Sequence, residues 1–141
     1  MEDCTFCRII KGVAPASTVY FDEKVMAIMD IQPVNSGHVL IIPKIHAAQL
    51  SELDEETGAH MFKIAMRIAE ALRRSGTKCE GINLFLADGE TAGQEIFHVH
   101  LHVIPRLKGD GFKIRFGPSY SSRPEREELN RIGKKIREAM R

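Results

Sequence analysis

Three histidines, His98, His100 and His102, alternate with Phe97, Val99, Leu101 and Val103, and Ile104 follows. A two-residue period is that of a strand, so the apolar set is predicted to face a core and the imidazoles to share the opposite side. On a helix the same residues would be scattered by roughly 100° per position. Rings anchored on one strand face start roughly 6.5 Å apart, so the outer two are too distant to act together on one small atom. Different jobs for the three rings follow. One reading makes them solvated or hydrogen-bonded strand histidines. A second makes them a metal site, because adjacent same-face histidines can share zinc. The third is nucleophilic catalysis, and we favour it. A neutral imidazole nitrogen attacks phosphorus without a strong base to unmask it, provided that its other nitrogen donates to a fixed acceptor. A flanking imidazole can then donate to phosphate oxygens as charge shifts.

The second chemical feature is Cys4-Thr5-Phe6-Cys7. Its spacing is that of a zinc half-site, and the thioredoxin-like strand–helix context that a redox pair would want is not predicted around it. Cys79 reads as a buried small residue. His60 lies inside a predicted helix and reads as a surface or core residue. Arg106, Lys108 and Gly109-Asp110-Gly111 read as a solvated loop.

The elements that must position these residues are legible in outline. Thr18-Val19-Tyr20-Phe21 and Val25-Met26-Ala27-Ile28-Met29 read as two strands around the turn Asp22-Glu23-Lys24. Pro33 and Asn35-Ser36-Gly37 break the chain, and His38 to Ile42 reads as a buried strand ended by Pro43. A helix follows, capped by Ser51 or Asp54, with acids in its first turn, Arg73 and Arg74 in its last, and Gly76 beyond. Its predicted buried face is Phe62, Ala65, Met66, Ala69 and Leu72. Residues 82–86 read as a strand, Asp88 to Gln94 as a loop, and 107–122 as weakly patterned. From Glu127 to Arg141 a charged amphipathic helix is predicted, with Leu129, Ile132, Ile136 and Met140 on one face.

The 141 residues suit one domain, and 43% hydrophobic content supplies a core. Net charge is +1, from 20 Lys+Arg against 19 Asp+Glu, which argues against a nucleic-acid platform resting on bulk charge. It leaves small phosphate ligands open. The acidic start and short apolar stretches predict neither secretion signal nor membrane span. With three unpaired-looking cysteines, a cytoplasmic location is expected.

The segment Gly93-Gln94-Glu95-Ile96-Phe97-His98-Val99-His100-Leu101-His102-Val103-Ile104-Pro105-Arg106 resembles the signature of the histidine triad (HIT) family of nucleotide-binding proteins. Phe6-Cys7-Arg8-Ile9-Ile10, Met29-Asp30-Ile31 and Gly37-His38-Val39-Leu40-Ile41-Ile42-Pro43-Lys44-Ile45-His46 match in order, so the resemblance spans roughly residues 4–107. It implies an α+β, HIT-like fold with a five-stranded antiparallel sheet, a main helix and a C-terminal helix, pairing as a homodimer. Residues 1–116 are expected to form the HIT domain and 117–141 a tail with the amphipathic helix.

By the same resemblance, His100 attacks the α-phosphorus of a nucleotide, an AMP or GMP derivative, and forms a nucleotidyl-histidine. His102 contacts the α-phosphate, His38 belongs to the supporting network, and Gln94 hydrogen-bonds near the leaving group. Asp30 takes the ribose hydroxyls. Phe6, Ile31, Gly93, Glu95 and Ile96 complete the nucleotide contacts. Glu95 stands where many members carry a hydroxyl residue, and Ala87 where many carry asparagine. A structural Zn2+, one per chain, is expected on Cys4, Cys7, His46 and His98 by likeness to zinc-bearing members. The implied activity is nucleotide hydrolysis or transfer. The alternatives are a non-catalytic nucleotide-binding scaffold and a hydrolase with catalytic zinc at the triad.

Overall fold

The computed structural model describes residues 3–140. Its elements are α1 (Thr5–Ile10), β1 (Thr18–Phe21), β2 (Val25–Met29), β3 (Val39–Pro43), α2 (Glu55–Arg74), β4 (Gly81–Phe85), β5 (Leu101–Arg106) and α3 (Arg126–Ala139). The five strands form one sheet in the order β1-β2-β3-β5-β4, with every neighbouring pair antiparallel. This is the α+β, five-stranded arrangement expected from the sequence.

Local chemistry fixes the elements. At the β1–β2 turn the Asp22 carboxylate accepts from the Lys24 and Val25 amides at 2.8 and 2.9 Å, holding the hairpin closed. Asp54 caps α2 by accepting from the Thr57 amide at 2.9 Å. Gly37 has φ +100°, and a Cβ there would lie 2.9 Å from the Thr77 side chain, so the turn into β3 demands glycine.

One sheet face packs against α2 through Val25, Ala27, Val39, Ile41, Leu101 and Val103, joined by Val99. The other buries Ile28, Leu40 and Ile42 against Phe6 of α1. Each fully buried aliphatic contributes about 1.5–3 kcal/mol relative to exposure, so both layers hold the sheet. The buried face of α2 differs from the expected one. Met61, Ile64, Ala65, Ile68 and Leu72 point inward, while Phe62 and Met66 are 53% and 61% exposed. Both sets obey helical spacing, and they differ by a rotation of about one residue (~100°) that periodicity alone does not fix.

The histidine strand is also shorter than its alternation predicts. The ladder begins at Leu101, so His98 and His100 precede it. Upstream, the Val99 amide bonds instead to the Ala47 carbonyl at 2.8 Å. The alternation of faces holds for Val99, Leu101 and Val103, which lie in the core, and fails at Phe97, which is exposed in the bend before them.

The chain divides into two compact units, one ending at Asp110 and one beginning at Gly111. Within the second, α3 carries intrahelical ion pairs, Arg131–Glu128 at 2.7 Å and Lys134–Glu138 at 3.9 Å, and its Leu129, Ile132 and Ile136 are exposed. Among the described residues no helix is long and apolar enough to cross a membrane.

Candidate active site and metal centre

On the side of the sheet away from α2, His102 lies between Leu40 of β3 and Phe85 of β4, its register partners. The Phe85 ring meets it edge-on at 5.7 Å. The His100 and His102 rings are 5.0 Å apart, closer than straight strand spacing, because the ladder has not begun at His100.

Hydrogen bonds assign the tautomers. The His100 Nδ1 lies 2.8 Å from the His98 carbonyl, which can only accept, so Nδ1 carries a proton and in the neutral ring Nε2 holds the lone pair. His100 is 9% exposed and lies against the Phe6 ring at 5.1 Å. The Val34 amide donates to His38 Nδ1 at 3.1 Å, which puts the His38 proton on Nε2. That nitrogen is 2.9 Å from His102 Nδ1 and 3.4 Å from the Asp30 carboxylate. His102 therefore accepts at Nδ1 and offers its proton from Nε2. Burial lowers the pKa of His38, only partly offset by Asp30. It lowers that of His102 to about 4, with His100 and His38 adding to the effect, so His102 is a neutral donor at pH 7.

The remaining expected contacts fall into two groups. Asp30 Oδ1 accepts from the Gln32 amide at 2.8 Å, and the neighbouring Ile31 is 99% exposed. Glu95 and Gly93 are exposed, and Ile96 packs beside Phe6. Phe6 is buried against the His98 and His100 rings. Gln94 is buried with its amide committed: Nε2 donates to the carbonyls of Ala48 at 2.6 Å and Ile96 at 3.1 Å, and Oε1 accepts from the Gly89 amide at 2.8 Å. Its side chain clasps the loop before the triad.

Behind His100 lies a second cluster. Cys4 Sγ, Cys7 Sγ, His46 Nδ1 and His98 Nδ1 all lie within 4.8 Å of one another, a set able to hold a metal ion. The His98 ring donates Nε2–H to the Pro43 carbonyl at 2.7 Å, which leaves Nδ1 as a lone pair aimed at the cluster. From there it is 3.2 Å to His46 Nδ1, 3.4 Å to Cys4 Sγ and 3.6 Å to Cys7 Sγ, and Cys7 Sγ is 3.3 Å from His46 Nδ1. Zinc–nitrogen and zinc–sulfur bonds of about 2.05 and 2.3 Å at tetrahedral angles give edges of about 3.3 and 3.6 Å. The donors therefore fit a four-coordinate zinc in both chemistry and spacing. Burial pushes the Cys7 thiol pKa up, with Cys4 beside it adding to the rise.

Other candidates serve elsewhere. His60 Nε2 lies 2.6 Å from the Asp22 carboxylate, which also accepts from Tyr20 at 2.8 Å. Burial opposes ionisation of Asp22, but the bonds from His60, the Val25 and Lys24 amides and Tyr20 outweigh it and hold the carboxyl well below the usual range. The Cys79 thiol donates to the Gly81 carbonyl at 3.3 Å. Arg106 is bidentate to Asp110, both bonds 2.8 Å, and reaches Asn83 at 2.6 Å. The groups that sequence reasoning missed are the Val34 amide, the Pro43 and His98 carbonyls, and Phe85. Only Phe85 left a signal, as a strand residue before the loop.

Comparison with known proteins gives the same architecture. The profile of the HIT domain family matches residues 11–109. A crystal structure of a HIT family protein from Bacillus anthracis superposes with a TM-score of 0.90 at 38% identity, covering 99% of each chain. That of a Zn-bound histidine triad family protein from Mycobacterium smegmatis gives 0.76 at 40% identity, again over 99% of each chain. An adenosine 5'-monophosphoramidase of Schizosaccharomyces pombe is 34% identical over 134 residues, 94% of this chain and 95% of that one.

Proposed function

The chain belongs to the HIT family, in its zinc-type branch, and from that membership we propose that it is a nucleotide hydrolase or transferase working through a nucleotidyl-histidine on His100. The observation that carries the reading is the 2.8 Å bond from His100 Nδ1 to the His98 carbonyl, which makes Nε2 the nucleophilic nitrogen of the neutral ring. In the first step Nε2 forms a bond to the α-phosphorus as the bond to the leaving group breaks on the opposite side. Water, or another acceptor, then displaces the nucleoside monophosphate from the imidazole.

His102 donates Nε2–H to a non-bridging oxygen of that phosphate, and His38 keeps the donor facing the substrate. Asp30 retains acceptor capacity for ribose hydroxyls, and the exposed Ile31 beside it offers an apolar surface to a base. Gln94 fixes the loop from which Gly93, Glu95 and Ile96 line the approach. Zinc on Cys4, Cys7, His46 and His98 has no open coordination position, so its part is structural. The relatives that support a nucleotide substrate include the S. pombe adenosine 5'-monophosphoramidase and an Arabidopsis thaliana adenylylsulfatase that is 40% identical over 109 residues. A homodimer completes the proposal. Edge strand β4 exposes Leu84, and α2 exposes Phe62 and Met66, apolar surface that a second copy would cover.

Trapping tests the reading. Labelled adenosine and guanosine phosphoramidates and dinucleotides are incubated with protein, quenched in base and searched by mass spectrometry for a nucleotidyl adduct on His100. Replacement His100→Ala abolishes turnover while nucleotide binding survives. Turnover without any adduct refutes the covalent route, and a scaffold role predicts binding with neither adduct nor turnover.

A further inference from the structure

The metal cluster and the nucleophile share parts. The start of α1 brings Cys7 and the N-cap residue Cys4 into the cluster, while Phe6 between them packs edge-on against both the His98 and His100 rings, at 5.7 and 5.1 Å. His98 joins the cluster through Nδ1, and its own carbonyl is the acceptor that fixes the His100 tautomer. His46 joins it too, and the next residue, Ala47, holds the Val99 amide at 2.8 Å. Three separate chain segments are thus tied around the peptide groups that aim His100.

We propose that Cys4 and Cys7 are an oxidation site through which hydroperoxides switch off the nucleophile. Cys4 is the less buried of the two, half-buried where Cys7 is buried, and its Sγ lies 3.4 Å from the Cys7 amide at the start of α1. Cys4 is the N-cap of α1 and Cys7 its third residue, and the two sulfurs lie within 4.8 Å of one another. A disulfide needs them about 2.05 Å apart, so an adjustment of the extended backbone at the N-cap closes the bond. In the reaction one thiolate attacks the peroxide O–O bond, giving a sulfenic acid and an alcohol or water. The second thiolate displaces hydroxide from that sulfur and forms the S–S bond. Two sulfurs together lose two electrons, the peroxide gains them, and two protons from solvent complete the water released. A disulfide is a poor metal ligand, so zinc leaves. His98, fully buried, loses the zinc and both thiolates at its Nδ1 and keeps only His46 beside it. The strain falls on its peptide, and His100 loses its fixed acceptor.

The inference rests on the proposed roles of the zinc set and of His100, and its test separates them. Zinc-loaded wild type and a Cys79→Ser variant are titrated with hydrogen peroxide. Zinc release is followed with a chromogenic chelator, the disulfide by peptide mapping, and the His100 Nδ1–H tautomer by long-range 1H–15N NMR. Zinc release, the Cys4–Cys7 disulfide and loss of the ordered tautomer are expected in equal proportion in both proteins. At full conversion kcat falls on the order of 100-fold, as a misplaced nucleophile implies, with KM little changed. Thiol reductant plus zinc restores all of these. A disulfide with zinc released but the tautomer intact overturns the proposal, as does inactivation without a Cys4–Cys7 bond or zinc retained through the titration. If the reduced protein turns over no nucleotide, the functional reading fails while the zinc, disulfide and NMR signals still decide this one.

Discussion

Replacing His38 by phenylalanine isolates the step that sets the His102 proton. The ring is buried, and phenylalanine fills nearly the same space while removing both nitrogens. Two bonds go: the Val34 amide loses its 3.1 Å acceptor, and His102 Nδ1 loses its 2.9 Å donor. Leaving such groups unpaired costs about 1–3 kcal/mol each when they are buried. Val34 is half-buried, so the stability loss is expected at the low end, near 2 kcal/mol in all. The catalytic loss has another origin. The Asp30 carboxylate, His38 and His102 offer ligand atoms within 4.8 Å of one another. Without the intervening donor, Asp30 attracts the His102 proton to Nδ1, and Nε2 then presents a lone pair to the phosphate. Losing one donor to a developing anion costs roughly 10²–10³ in kcat. Steady-state kinetics on an adenosine phosphoramidate, with a thermal melt to confirm folding, measure the effect. The double variant with His102→Ala should be no slower than His102→Ala alone, because both changes remove one donor. A folded His38→Phe protein within threefold of wild-type kcat (roughly 0.65 kcal/mol) would refute the tautomer relay.

Acid stability carries a second signature. His102 titrates near 4 when folded against an ordinary 6.5, a depressed group whose contribution is complete above about pH 6.5 and lost as pH falls toward 4. The 2.5-unit span caps the loss at about 3 kcal/mol, so the melting temperature should fall across that window more steeply in wild type than in His102→Gln; parallel curves would contradict it. Gln94→Ala releases three hydrogen bonds and should lower the melting temperature by several degrees, about 1–3 kcal/mol. An unchanged melt with lost kcat would instead restore a direct leaving-group contact. For the dimer, wild type should sediment at twice the chain mass and Phe62→Glu/Met66→Glu as a monomer; equal sedimentation removes those residues from the interface.

Much of this was readable from residue order. Alternation separated Val99, Leu101 and Val103 from the histidines, but it failed at Phe97, because the chain bends over residues 96–98 and the two-residue period of a strand no longer sets the side-chain direction there. The turn at Asp22 and the cap at Asp54 were legible for a similar reason, since their partners lie within three residues. The rotation of α2 was not. Phe62 and Met61 are equally apolar, and only the position of the sheet decides which one is covered.

The roles of the histidines depend on partners of a kind that a sequence does not display. Each of the four relevant rings has its proton placed by a backbone group or by another ring: His100 by the His98 carbonyl, His98 by that of Pro43, His38 by the Val34 amide, and His102 by His38. Backbone groups carry no residue letter, so spacing could nominate the histidines without distributing their protons. The consequence is a division of labour between neighbours of identical chemistry. On the proposed function, His98 turns its lone pair inward to the cysteines, while His100 would keep its own for phosphorus and His102 a proton for the oxygens. The peptide group of His98 joins the first two assignments, so a metal held by the cluster would bear on the proposed nucleophile without meeting the substrate.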